Sequence, residues 1–360
     1  MKILSSNLFL LIPLLLISQV QAANIVGGDV VGRHIYGLAV DYQGDPLLNE
    51  DRPIIYPQSE SDNVITVEDK GFMVSTFKHT IGGLYITSID SESKALVDTV
   101  ALDMENVGGL SSPVGTIRTP WNSLLISEER LIDAGNPQAF VDAYKPYYKE
   151  KANLVNPYNY GWVSEVIVLD GTGQAKVIKN FAMGRLFAKQ VVAMPDGKTF
   201  YMLDSEHSGN LYLFIADKKE SLASGSLYVM GRDHGKVVPV LLGKASSLKM
   251  KFRLKKADYE AIFERAVANN QHCEHGFQYV ESIYGEECLK LKSKNKKYAG
   301  LFEPIRSAAM KGVNKLSNGI SEIIFSPDSM ALVFNKNDGS NISFSVSANS
   351  QLDSQYIIQE

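Results

Sequence analysis

The sequence predicts an all-β protein, a β-propeller of about six blades carrying a helical insertion, and three features point to it. The chain holds 17 Tyr, 15 Phe and 28 Gly against 13 Pro, a balance that suits short strands and tight turns. From Ala23 to about Leu242, short apolar runs alternate with turn residues, and no helical periodicity lasts beyond one or two turns. The same strand and turn grammar also occurs twice, in Pro195 to Asn210 and again in Pro327 to Asn341. Repeated antiparallel meanders hide their sheet edges when arranged around an axis. A β-sandwich or two small barrels would use the same strands.

The first 22 residues read as a signal peptide: Lys2 gives a positive start, Leu8 to Ile17 is almost unbroken apolar, and Val20-Gln21-Ala22 offers a cleavage site. A buried N-terminal helix is the alternative. Residues 23–360 then form the propeller domain, which places the protein in the periplasm or outside the cell. No other apolar run approaches the roughly 20 residues that span a bilayer, so no transmembrane anchor is expected. With 36 basic and 40 acidic residues the chain has no overall footprint for nucleic acid. Its 45% hydrophobic content over 360 residues excludes disordered and collagen-like classes.

Within the propeller, Val163 to Leu169 and Ala175 to Ile178 flank an Asp170-Gly171 hairpin turn. Gln190 to Met194, Thr199 to Leu203 and Leu211 to Ile215 form a meander around Pro195-Asp196-Gly197. Near the C-terminus, Glu322 to Phe325, Ala331 to Phe334 and Ile342 to Val346 repeat it around Pro327-Asp328-Ser329. Between about 248 and 312 the pattern turns helical. Asp258 can cap a helix with Tyr259, Ile262, Phe263, Ala266 and Val267 on one face, ending at Asn269-Asn270. A second helix opens at Pro304 and ends at Gly312. Lys290, Lys292, Lys294, Lys296 and Lys297 read as a solvated face. The two cysteines, Cys273 and Cys288, are expected to form a disulfide in an oxidising compartment. His272 and His275 beside Cys273 invite a zinc reading, but the spacing matches no established ligand pattern.

The densest candidate for chemistry runs from Thr119-Pro120-Trp121 through Leu124-Leu125-Ile126-Ser127 to Glu128-Glu129. A strand ending in two adjacent carboxylates is locally unfavourable, because like charges repel and burial desolvates one of them. Something cationic should compensate, and a hard metal ion is one natural partner. A solvated pair at a strand end is the other reading.

Gly108-Gly109, Thr119-Pro120-Trp121 and Ser127-Glu128-Glu129 together resemble the Gly-Gly, Thr-Pro-Trp-Gly-Thr and Cys-Glu-Glu signature of the PhoX-type alkaline phosphatases. Similar pieces follow in order: Tyr160-Gly161-Trp162-Val163-Ser164-Glu165-Val166, Gly184-Arg185-Leu186-Phe187-Ala188-Lys189-Gln190, Tyr201-Met202-Leu203-Asp204, Gly209 to Phe214, and Arg306-Ser307-Ala308-Ala309. The resemblance covers about residues 105 to 335. It implies a propeller whose axial pocket holds calcium and iron ions and hydrolyses a small phosphorylated substrate, a phosphate monoester, outside the cytoplasm. Metal ions would neutralise phosphoryl oxygens and hold a reactive oxygen nucleophile. Carried onto this chain, the resemblance makes Glu128, Glu129, Glu165 and Asp204 metal ligands, with Glu206 a possible further calcium ligand. The alternatives are a lysine partner for Glu165 and a simple turn at Asp204-Ser205-Glu206.

Three family positions differ. Lys189-Gln190 stands where the family has His-Glu, Ser127 stands in place of the thiolate, and no Arg-Pro-Glu segment follows Gly312. If Lys189 faces the axis, its charge balances the carboxylates without metal and leaves a catalytically inactive propeller that binds a ligand or a protein. If it points outward, a calcium site survives. Oligomeric state is not legible in the sequence.

Overall fold

The computed structural model describes residues 37–346 except 44, 57–58, 205–209, 235, 270, 294–295 and 314–319, together with a short strand pair at Ile25–Val26 and Asp29–Val30. The signal peptide expected over 1–22 and the candidate ligand Glu206 lie outside the described residues.

Among these, four sheets of three or more strands are built from consecutive antiparallel strands in sequence order. The first holds Ser61–Val67, Lys70–Thr76, Leu84–Ile89 and Leu96–Ala101. The second holds Pro113–Arg118, Leu124–Glu128, Ser164–Val168 and Ala175–Lys179. Ala188–Ala193, Thr199–Asp204, Leu211–Lys218, Ser221–Asp233 and Lys236–Ser246 form the third. Ile320–Ser326, Ala331–Lys336 and Asn341–Ser345 form the fourth. The opening strand of each sheet touches the opening strand of the next, from Ser61–Val67 through Pro113–Arg118 and Ala188–Ala193 to Ile320–Ser326. Four meanders fanned on their first strands bear out the expected β-rich architecture of several antiparallel sheets.

Turn chemistry explains the hairpins. Asp196 Oδ1 accepts the Lys198 and Thr199 N–H groups at 2.8 and 2.9 Å, so Pro195-Asp196-Gly197 reverses the chain where the sequence places the turn. Asp170 Oδ1 does the same for the Thr172 N–H at 2.9 Å. Alternation along the strands fills the gaps between sheets. Leu124, Ile126 and Val166 pack towards the first sheet with Phe72 and Val74. On the opposite side Leu125 joins Phe200, Met202 and Tyr212 in the largest cluster, and Val192, Leu203, Ile323 and Phe334 join the third sheet to the fourth.

Two expectations are corrected. The segment before residue 242 contains an 11-residue helix, Gln138–Tyr148, which buries Phe140, Tyr144 and Tyr148 at helical spacing. The helix expected from Asp258 to Asn269 is only Tyr259–Ile262, after which Phe263–Ala266 becomes a strand. Its partner is Gly285–Leu291, with Phe263 opposite Leu291 and Ala266 opposite Cys288. Gln278–Ser282 completes this small sheet. Burying Phe263 and Leu289 against the main core overrides the local helical pattern, so the insertion is mixed rather than helical. The later helix does form, as Pro304–Met310.

The disulfide forms between Cys273 and Cys288, with Cα atoms 5.6 Å apart. It pins the loop after the small sheet's first strand to the central one. Reducing it is expected to lower stability by about 3 kcal/mol, since it releases a loop of 15 residues. A drop in urea midpoint with reductant, absent in a Cys273→Ala/Cys288→Ala control, checks this.

Candidate functional site

Register decides where the carboxylates point. Ile126 pairs with Ser164, and Ser164 with Lys179, so these three share one face of the second sheet. Glu128, two residues beyond Ile126, joins that face. Glu165 lies opposite Leu125 and therefore leaves the other face. Two carboxylates on opposite faces of one sheet cannot close on a single ion.

The Glu128 side has a cation of its own. Lys179 Nζ lies 3.0 Å from Glu128 Oε1, with both side chains essentially removed from solvent. The same ammonium donates to the Gly109 carbonyl at 2.8 Å and the Asn159 carbonyl at 2.7 Å. It also sits 4.8 Å from the centre of the Tyr160 ring. Burial pushes the Glu128 carboxyl above its ordinary value and the Lys179 ammonium below its own, and each charge opposes the shift of the other. The second carboxylate oxygen of Glu128 accepts the Gly161 N–H. Gly161 is required there: its φ is +92°, and a Cβ would meet the Phe187 ring at 2.6 Å. Around the pair, Tyr160 donates to the Gly108 carbonyl at 3.1 Å, and its hydroxyl meets that of Tyr148 at 2.7 Å.

The other expected ligands are also committed. Glu129 reaches the surface and pairs with Lys78 at 2.6 Å. Glu165 Oε1 accepts the Trp121 indole N–H at 2.8 Å and the Ser123 hydroxyl, so the Thr-Pro-Trp motif closes onto its own sheet. Asp204, buried at a strand end, accepts the Asn210 N–H at 3.1 Å. Ser127 is buried beside Glu128 in the strand. Among the described residues, no group of three or more His, Cys, Asp or Glu side chains is placed to hold a metal ion. A calcium and iron centre does not fit this donor set, because Glu128, Glu129 and Glu165 each meet a donor of the protein at a separate place and do not converge on a common point.

Lys189 and Gln190 resolve differently from the sequence reading. Lys189 is the extra residue of a β-bulge, between Ala188 opposite Asp204 and Gln190 opposite Leu203. The cation on Glu128 is Lys179, not Lys189. Gln190 straps the third sheet to the fourth: its Nε2 donates to the Ile323 carbonyl and its Oε1 accepts the Ile323 N–H, both at 2.8 Å. An ionised glutamate there could accept but not donate.

Sequence reasoning missed a second buried network. Arg306 donates from Nε to Glu287 at 2.7 Å, from Nη1 to Glu303 at 2.9 Å and from Nη2 to Asp133 at 2.7 Å. The Tyr284 ring lies 3.9 Å from the guanidinium carbon. Arg185 donates to the carbonyls of Tyr160, Ile132 and Pro157 at 2.9 to 3.0 Å and pairs with Glu303 at 3.5 Å. This network ties the insertion to the segment after Glu129. Arg306 was legible only as part of a motif. Lys179 could have been found, since Ala175, Val177 and Lys179 fall on alternate positions of one strand and the last two are buried.

No protein-family model matches the chain, and no curated protein sequence matches it. Similar solved structures include Pseudomonas fluorescens PhoX in complex with vanadate, a transition state analogue. That alignment has 13% identity, covers 88% of this chain and 70% of that one, and has a TM-score of 0.49. A periplasmic gluconolactonase from Pseudomonas aeruginosa is 11% identical over 82% of this chain and 84% of its own, with a TM-score of 0.25. A putative 6-phosphogluconolactonase from Bacteroides uniformis is 12% identical over 81% and 83%, at 0.24. These are distant structural relationships, too slight to assign an activity.

Proposed function

We propose that this chain is an exported, propeller-like binding module, related to the PhoX-type phosphatases it resembles in motif order, whose central cation is the ammonium of Lys179. The observation that carries the reading is the closed shell around that ammonium: Glu128 at 3.0 Å and the Gly109 and Asn159 carbonyls at 2.8 and 2.7 Å. A hard oxygen cage of this kind suits a metal ion, and here the chain fills it with its own charge. Glu165 and Asp204 meet hydrogen-bond donors of the scaffold in the same way. What supports a binding role over a catalytic one is that the chain lacks the iron-binding thiolate and the Arg-Pro-Glu segment of the family it resembles.

The competing reading is metal-dependent hydrolysis of phosphate monoesters, with calcium and iron held by Glu128, Glu129, Glu165, Asp204 and Glu206. It draws on the ordered motifs and requires Glu128, Glu129, Glu165 and Asp204 to leave their present partners. Elemental analysis and a phosphomonoester assay of the mature protein, with both metals supplied, separate the two. The expected result is iron and calcium well below one ion per chain and no turnover above background. Stoichiometric iron, or turnover abolished by Glu128→Gln with Glu129→Gln, would restore the hydrolase.

A further inference from the structure

The helix Ser247–Leu254 opens on Ser246, whose Oγ accepts the Lys249 N–H at 3.4 Å. One face is anchored, with Met250 fully buried in the largest core cluster. The opposite face carries two large apolar side chains one turn apart, Leu248 at 64% and Phe252 at 66% exposed. Lys249, Lys251, Arg253, Lys255 and Lys256 surround them, all exposed, and no acidic residue occurs from Ser246 to Ala257.

A second element enlarges this surface. The Arg253 guanidinium lies 5.0 Å from the centre of the Tyr298 ring, and the Lys297 ammonium 6.0 Å from it. Tyr298 thus joins the helix Lys296–Phe302 to the first, adding exposed Lys296 and Lys297 to the patch. Among the described residues, no carboxylate is within ion-pair distance of any of these seven cations, in a protein whose net charge is -4. The chain concentrates positive charge on the insertion, around two side chains that water disfavours.

We infer that this face docks on an anionic phospholipid surface. Leu248 and Phe252 enter the boundary between headgroups and acyl chains, while the lysine stems lie along it and their ammonium groups reach lipid phosphates. Charge alone would suit any polyanion. The paired Leu and Phe at the centre of the cations favour a lipid, because phosphate-backbone binding gives no return for exposing them. Each basic residue near an anionic surface contributes a few-fold in affinity, so several acting together bind measurably while salt releases them. The inference holds whichever reading of the Glu128 centre is correct.

Co-sedimentation of the mature protein with phosphatidylcholine vesicles, and with vesicles also containing phosphatidylglycerol, tests it. Retention is expected only with phosphatidylglycerol and should fall as salt is added. Leu248→Ser with Phe252→Ser should weaken it by about tenfold or more with an unchanged melting temperature, since both side chains are exposed. A Phe252→Trp variant, after subtraction of wild-type emission, should shift to shorter wavelength on those vesicles. Absence of binding, undiminished binding by the double serine variant, or no emission shift would each overturn the inference. Tighter retention on single-stranded DNA than on the vesicles would assign the patch to nucleic acid and also overturn it.

Discussion

Replacing Arg306 by methionine is expected to lower the unfolding free energy by about 3–5 kcal/mol. Three carboxylates, Glu287, Glu303 and Asp133, lie at 2.7 to 2.9 Å from its nitrogens. Methionine fills much of the volume but leaves Glu287 and Glu303 buried with their charge poorly compensated. Arg185, at 3.5 Å from Glu303, is too far and too committed to three carbonyls to replace it. Arg306→Met combined with Glu287→Gln should recover part of the loss, because it removes one stranded charge. Urea unfolding of the single and double variants reads both numbers; additive losses would show that the two residues do not act together.

Lys179→Met should cost a similar amount, about 3–5 kcal/mol, for a related reason. Glu128 is fully buried, and its other oxygen accepts the neutral Gly161 N–H, which cannot replace a cation. Removing the ammonium also leaves the Gly109 and Asn159 carbonyls without their donor. The matched variant, Lys179→Met with Glu128→Gln, should be more stable than Lys179→Met alone. If Lys179→Met unfolds at the wild-type denaturant concentration, the buried pair is not what holds this centre.

Much of the blade grammar was legible because turns announce themselves. Asp170-Gly171 and Pro195-Asp196-Gly197 reverse the chain through their own side chains, so the flanking strands follow from alternation alone. The helix Gln138–Tyr148 was not legible: proline stands just before it and again inside it, and proline removes a helical N–H. In the structure Pro146 sits near the C-terminal end of the helix, and the buried aromatic face outweighs the missing N–H. The strand Phe263–Ala266 was hidden by a helical pattern that only its pairing with Gly285–Leu291 overrides. At the centre, the need for a cation beside Glu128 was visible in a strand ending in two carboxylates. Its identity was not, because Lys179 reaches Glu128 across an intervening strand, and strand register is not written in either segment.

A counterion that belongs to the polypeptide has a different life from one drawn from solution. The ammonium at Gly109 and Asn159 is present in each molecule from synthesis, so chelators cannot strip it and dilution cannot release it. The charge balance of this centre is therefore a property of the gene, heritable and fixed in stoichiometry.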